Sequence, residues 1–211
     1  MQVTLFGVVL FLHITVAIVA FAMAGVMHTA LNVVARGRSV QDLRSWAAVM
    51  HRIEPLFPLM ALLLLGLGAW LVHLGAHTDD AFSFSDGWIV TAIVTLVAVE
   101  AAGGAVLAPH GKKLVALIHD AADGPVTAEI RDAATRPLFW DLVHVTTFGF
   151  IGVVFLMAAK PSGAWAWLFP VVGAVVGIAL SRAQLGAAAK SVDAAAVPGQ
   201  RTAHDTADVK A

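Results

Sequence analysis

The chain has 211 residues, of which 59% are hydrophobic and only 13% are charged, about half the charged share of a typical soluble domain. Its formal net charge of -1 at pH 7 argues against a nucleic-acid partner. The sequence has no cysteine, which excludes disulfides, thiolate nucleophiles and cysteine-ligated metal or iron–sulfur sites.

Five apolar segments follow one another along the chain, each long enough to cross a bilayer as a helix. They predict an all-α, polytopic membrane helix bundle over residues 1–182, with four core spans plus a fifth C-terminal span. The spans are expected at residues 3–35, 55–74, 88–108, 139–159 and 164–181. The first segment lacks the basic residues that begin a signal peptide, and it is longer than the apolar region of a signal peptide. We therefore expect it to stay in the protein as a membrane span. Small and polar residues then predict a disordered, cytoplasmic tail over 183–211.

Lysine and arginine are unevenly distributed between the connections. Of the 13 basic residues, only Lys160 lies on one side of the predicted bundle, and all the others lie on the opposite side. Basic residues are concentrated in cytoplasmic connections. We therefore expect a multi-pass protein of the cell inner (plasma) membrane, with the N-terminus outside and the C-terminus in the cytoplasm.

Ionisable side chains occur inside the predicted spans. At 1.5 Å per residue, His28, Glu100 and His144 each lie ~9–12 Å from the cytoplasmic end of their span. Such groups are costly in a membrane and face other helices, and helical bundles build metal and cofactor sites from side chains that converge in this way. We expect Glu100 to contact one of these histidines, directly or through a metal or water. Glu54 and Asp141, nearer the same end, are supporting candidates.

Simpler interpretations of the same residues stay open. The histidines of the spans, His13 included, could only hydrogen-bond to neighbouring helices. Asp141 could only favour the N-terminus of its helix, where the dipole stabilises an acid. Gly173 and Gly177 form a G-x-x-x-G pattern in the fifth span, which indicates a close helix contact and allows a homodimer or a partner in a membrane complex.

Several short motifs are similar to those of a known group of proteins. They are Leu12-His13 in span one, Gly66 and Gly68 in span two, Trp88 at the start of span three, and the Phe155–Pro161 end of span four. In these features the chain resembles a family of small bacterial integral membrane proteins of unknown function with about four spans. It is more distantly similar to the copper-resistance D and HemJ-like membrane proteins. The HemJ-like resemblance implies haem b and protoporphyrinogen oxidation, with His13 as the corresponding histidine.

These observations predict a membrane protein that binds haem b or a metal ion within the bundle. The candidate cofactor ligands are His13, His28 and His144, and the candidate metal ligands are His28, Glu100 and His144. One alternative is a proton-coupled transporter of small solutes that uses Glu100 and His144. The other is a non-catalytic accessory or assembly subunit of a membrane complex. The sequence leaves the ligand and any enzymatic activity open.

Overall fold

A computed structural model describes residues 4–75 and 82–196, which form helices and no β-strand. The α-helices are α1 (Leu5–Arg36), α2 (Val40–Ile53), α3 (Leu56–Gly75), α4 (Gly87–Ala102), α5 (Ala108–Asp120), α6 (Ala128–Ala134), α7 (Pro137–Ala159) and α8 (Leu168–Ala196). A π-helical segment, Gly103–Leu107, joins α4 to α5, and a 3₁₀ turn, Gly163–Trp167, precedes α8.

Five helical stretches in the described residues are long and apolar enough to cross a membrane. They are Leu5–Arg36, Val40–Gly75, Gly87–Asp120, Ala128–Ala159 and Gly163–Lys190. Many large apolar side chains on these helices are exposed, as expected for surfaces that face lipid. The prediction of an all-α, multi-pass membrane bundle is therefore confirmed.

The helices extend beyond the predicted spans, chiefly on the side rich in basic residues. The connection between the first two spans contains the amphipathic helix α2, capped by the Ser39 hydroxyl, which accepts from the Asp42 amide at 3.3 Å. The third span continues through the π-helical segment into α5, beyond its predicted end at residue 108. Helix α8 continues to Ala196, beyond the predicted end at residue 181, so the first part of the expected disordered tail is helical. The rest of that tail, 197–211, lies outside the described residues.

The largest buried cluster lies at this same end of the bundle. It is formed by the last turns of α1, by α2, α5 and α6, and by the first turns of α7, which together we call the surface layer. Its fully buried side chains include Leu43, Leu114, Ile118 and Trp140. The other cluster lies further along the spans and is small, with Ala61, Leu64 and Leu96 at its centre. The larger buried apolar core is therefore in the surface layer, and few side chains are buried in the middle of the bundle.

Helices α7 and α8 form the closest helix pair. A Cβ atom at Gly177 would lie 2.7 Å from the His144 carbonyl oxygen, and a Cβ at Gly173 would overlap the Phe148 carbonyl group. On α7, Gly152 meets the backbone of Phe169 in the same way. The fifth span is therefore packed tightly against the fourth. The face of Gly173 and Gly177, which the sequence offered to a homodimer or a partner in a membrane complex, is occupied here by α7 of the same chain. A homodimer or a complex partner stays a prediction.

Candidate functional site

A cavity of about 550 Å³ opens between α1, α3, α4, α5 and α7. We call it the central cavity. Most of its wall is apolar, with Leu31 and Phe21 on α1 and Ala61 and Leu64 on α3. Its polar lining residues are His28, His51, Glu54, Glu100, Lys112, Thr146 and Thr147. The predicted residues His28, Glu54 and Glu100 therefore share one cavity.

Glu100 is the cavity carboxylate that has no partner. It lies half-buried near the end of α4 and makes no hydrogen bond or ion pair with any residue that the structure describes. The π-helical segment begins three residues later at Gly103, and Gly103 and Gly104 also line the cavity. A Cβ at either glycine would meet no atom within 4 Å, so the wall beside Glu100 is open space. π-Helical segments often occur at functional sites.

The second carboxylate of the cavity, Glu54, has a basic neighbour. It lies where α2 ends and α3 begins, and its Oε1 is 4.0 Å from Nζ of Lys112 on α5. The lysine side chain is largely exposed, so this is a loose ion pair at the mouth of the cavity. The cavity thus has one acid with a cationic neighbour, Glu54, and one acid without such a neighbour among the described residues, Glu100.

His28 forms the polar part of the α1 wall. The Thr147 hydroxyl donates its single hydrogen to the Val143 carbonyl at 2.9 Å, so it accepts from Nε2 of His28 at 3.0 Å. This network assigns the proton of a neutral His28 to Nε2. The ring of His28 also touches the ring of His144 edge-on, with the centroids 4.6 Å apart.

His144 lies behind His28 and does not line the cavity. It is 1% exposed and stacks between the rings of Trp140 and Phe148 on α7, while α8 covers its backbone at Gly177. Its Nδ1 donates to the Trp140 carbonyl at 2.8 Å, which makes Nε2 the unprotonated nitrogen of a neutral ring. Nε2 is buried and has no hydrogen-bond partner among the described residues. Buried polar atoms without a partner are rare in folded proteins.

The remaining two predicted residues lie elsewhere. His13 is 15 residues before His28, ~22 Å away along α1, and packs against the backbone of α3 at Leu64 and Gly68. Its Nδ1 is also buried and has no hydrogen-bond partner among the residues that the structure describes. Asp141 connects α7 to α8, because it accepts from the Ser181 hydroxyl at 2.7 Å and pairs with Arg182. Asp141 therefore stabilises the helix pair and does not line the central cavity.

This arrangement bears on the cofactor predictions. Among the described residues, no group of three or more His, Asp or Glu side chains is placed to hold a metal ion, so His28, Glu100 and His144 do not converge as a ligand set. The rings of His28 and His144 touch, so a haem does not fit between them as a pair of axial ligands. A direct hydrogen bond or ion pair of Glu100 with either histidine is not found among the described residues, and a contact through a metal or water stays a prediction.

Some features of the site were not predicted from the sequence. Lys112 and Thr147 were both overlooked, although Thr147 follows His144 by three residues and so lies on a neighbouring part of the same helix face. The π-helical segment was signalled only by the adjacent Gly103 and Gly104.

Comparison with protein-family models, with curated proteins and with solved structures finds no match to this chain. The resemblance to small bacterial membrane proteins therefore stays a prediction.

Proposed function

We propose that this multi-pass membrane protein binds a small amphiphilic molecule in the central cavity, with an apolar body against α1, α3 and α7 and a cationic or hydrogen-bond-donating group at Glu100. The observation that carries the proposal is a carboxylate, Glu100, with no partner in the described part of the chain, in a mostly apolar cavity of about 550 Å³. Ligand sites in proteins are typically apolar cavities of about 300–1,000 Å³ with a few polar groups that fix orientation.

Glu100 favours such a ligand group because an unpaired carboxylate inside a protein or a membrane costs free energy. A carboxylate removed from water is unfavourable unless it is paired or protonated, and either state favours a donor or a cation beside Glu100. Glu54 already has Lys112 nearby, so it is less available. The Thr146 hydroxyl donates its hydrogen to the Val143 carbonyl at 3.0 Å, so toward a ligand it can only accept. The same holds for the unprotonated Nδ1 of His28, and both residues line the cavity.

Haem b, the ligand that the HemJ-like resemblance implies, belongs to the same broad class of mostly apolar ligands. His28 is the candidate ligand that lines the cavity, and its Nε2 is already bonded to Thr147. The absorption spectrum of the purified protein tests this narrower prediction. Transport coupled to protons, and an accessory role in a complex, also stay predictions. The transport alternative relied on Glu100 and His144 together, but only Glu100 lines the cavity.

The proposal also includes an orientation, with the surface layer in the cytoplasm of a bacterial cell. It rests on the distribution of basic residues: among those that the structure describes, Lys160 alone lies at the opposite end. A reporter that is active only in the cytoplasm should be active when fused after Arg182 and inactive when inserted at Ser85. Activity at Ser85 would contradict the orientation.

A matched series of amphiphiles tests the cavity. Purified protein in a mild detergent is mixed with decyltrimethylammonium, decanol or decanoate, and its thermal unfolding is followed. The cation should raise the melting temperature most, because only it pairs with an ionised Glu100. Glu100→Gln should remove that preference, whereas Glu129→Gln, an exposed change of the same kind on α6, should preserve it.

A second variant separates the cavity from the carboxylate. Ala24 lines the central cavity, so Ala24→Phe fills part of it and should weaken stabilisation by all three compounds. Stabilisation that is equal for the three head groups and unchanged in Glu100→Gln would contradict the role of Glu100. Stabilisation that persists in Ala24→Phe would contradict the cavity as the binding site.

A further inference from the structure

A second cavity borders the surface layer, next to α8. It has a volume of about 400 Å³ and is formed where α1, α6, α7 and α8 meet. Its lining residues are Ala35, Arg131, Thr135, Pro137, Arg182, Leu185, Ala188 and Ala189. We call it the interface cavity, and it shares no lining residue with the central cavity.

The position of the interface cavity along α8 matches the boundary of a bilayer. At 1.5 Å per residue, Arg182 is ~21 Å and Ala189 ~32 Å from the start of α8 at Leu168. The hydrocarbon core is about 30 Å thick. This part of α8 therefore leaves the hydrocarbon and enters the layer of lipid head groups, on the side that carries nearly all the basic residues.

Two arginines give this cavity a net positive charge. The half-buried guanidinium of Arg131 donates to the carbonyl oxygens of Ala35 at 3.0 Å and Gly37 at 2.8 Å, and it forms no ion pair with a described residue. Arg182 pairs with Asp141, whose other oxygen is bonded to Ser181. The cavity thus has two cations and one adjacent anion, and Arg131 keeps an uncompensated charge.

We propose that the interface cavity binds a phosphate group, carried by an anionic membrane lipid. An arginine guanidinium matches the geometry of phosphate, because its N–H groups can donate two parallel hydrogen bonds. Arg131 is already held in place by the end of α1, so little side-chain freedom is lost when it binds. Leu185 and Ala188 form the apolar part of the wall, against which the glycerol and first acyl carbons would pack. Basic pockets between helices on the cytoplasmic side are known to bind anionic head groups.

The experiment uses the full chain in a mild detergent and follows thermal unfolding with three additives: phosphatidylglycerol, phosphatidylcholine and inorganic phosphate. Phosphatidylglycerol should stabilise the protein at a lower concentration than phosphatidylcholine by a factor of ten or more. Inorganic phosphate should have little effect, because it lacks the apolar contacts. Equal stabilisation by inorganic phosphate would overturn the lipid as the source of the group, and equal stabilisation by phosphatidylcholine would overturn the site.

Two substitutions should act in opposite directions. Arg182→Gln removes one cation and should weaken the phosphatidylglycerol effect at least threefold, whereas Asp141→Asn removes the competing anion and should strengthen it. Lys190→Gln, which removes the same charge from an exposed position of α8, is the matched control and should change little. Arg131 is kept, because its guanidinium also holds the end of α1. An equal loss in Arg182→Gln and Lys190→Gln would show that general surface charge, and not this cavity, attracts the lipid.

Discussion

His144 contains a polar atom that the fold does not satisfy. Its Nδ1 is bonded to the Trp140 carbonyl, while Nε2 is buried beside the ring of His28 with no partner among the described residues. An unsatisfied buried group costs about 1–3 kcal/mol, while a typical hydrogen bond contributes about 1 kcal/mol. The two effects of this ring on stability therefore roughly cancel, and most of its contribution comes from packing between Trp140 and Phe148.

The prediction for His144 is that an aromatic ring without nitrogen is tolerated. The free energy of unfolding of His144→Phe should lie within about 1 kcal/mol of that of the native protein, because the substitution removes one hydrogen bond and one unsatisfied atom together. His144→Ala should cost about 2–4 kcal/mol, because it leaves a void in a fully buried site. Reversible thermal or denaturant unfolding in detergent measures both. If His144→Phe is as destabilising as His144→Ala, the ring nitrogens stabilise the fold, and the prediction is wrong.

At the residue scale, the sequence predicted which polar side chains lie near one another better than it predicted which groups they contact. His28, Glu54 and Glu100 do line one cavity, because their similar depth along the spans could be calculated from the helical rise. Depth alone does not determine rotation about the helix axis. The rotation of α7 places the ring of His144 against His28 and its backbone against α8. This rotation depends on glycine contacts between α7 and α8 that a single sequence does not reveal.

At the scale of one element, α8 depends on positions without a side chain. Gly173 faces the backbone of Phe148, with no room for a methyl group, whereas Gly186 on the same helix has no atom within 4 Å of a Cβ. Backbones that approach this closely gain dispersion contacts, which are a main source of helix association in lipid.

The matched prediction compares these two glycines. Gly173→Ala should lower stability by about 1–3 kcal/mol, because overpacking forces the helices apart. Gly186→Ala should raise stability by about 0.5–1 kcal/mol, because alanine is the better helix former. The melting temperatures of the two variants, measured in the same detergent, should therefore move in opposite directions. A stabilised Gly173→Ala would contradict the close α7–α8 contact.

The element boundaries show what local sequence signals can and cannot predict. The five apolar runs were sufficient to find the spans, because length and hydropathy determine insertion. They did not reveal that α4 passes through a π-helical segment into α5, because one extra residue in a turn leaves the apolar pattern nearly unchanged. The helical extension of α8 to Ala196 was missed because its alanine-rich sequence has no apolar periodicity, although alanine is the strongest helix former.

At the scale of the whole molecule, two parts of the bundle are held together by different forces. The surface layer buries a large apolar cluster away from water, so the hydrophobic effect stabilises it. Within the bilayer that effect is absent between helices, and the spans depend on packing and hydrogen bonds. Urea weakens burial from water but does not expose backbone groups inside hydrocarbon.

We therefore predict that urea opens the surface layer before it affects the spans. In vesicles that expose this layer, trypsin should begin to cleave at Arg44 and Arg131 at moderate urea, while fragments containing α3 and α7 stay protected in the membrane. Mass spectrometry of the fragments measures the order of these events. Cleavage at these arginines without urea, or release of the spans at the same urea concentration, would contradict a separate surface layer.

The α7–α8 contact also has a consequence for biogenesis. Helix α7 alone would present Asp141 and His144 to the lateral gate of the insertion machinery, and a charged residue within a span carries a free-energy penalty of up to a few kcal/mol for insertion. The short connection through Gly163–Trp167 places α8 beside α7 as soon as it emerges, and Ser181 and Arg182 then satisfy Asp141. The two helices are therefore suited to partition into the membrane together as a helical hairpin, with the last span acting as an intramolecular chaperone for the one before it.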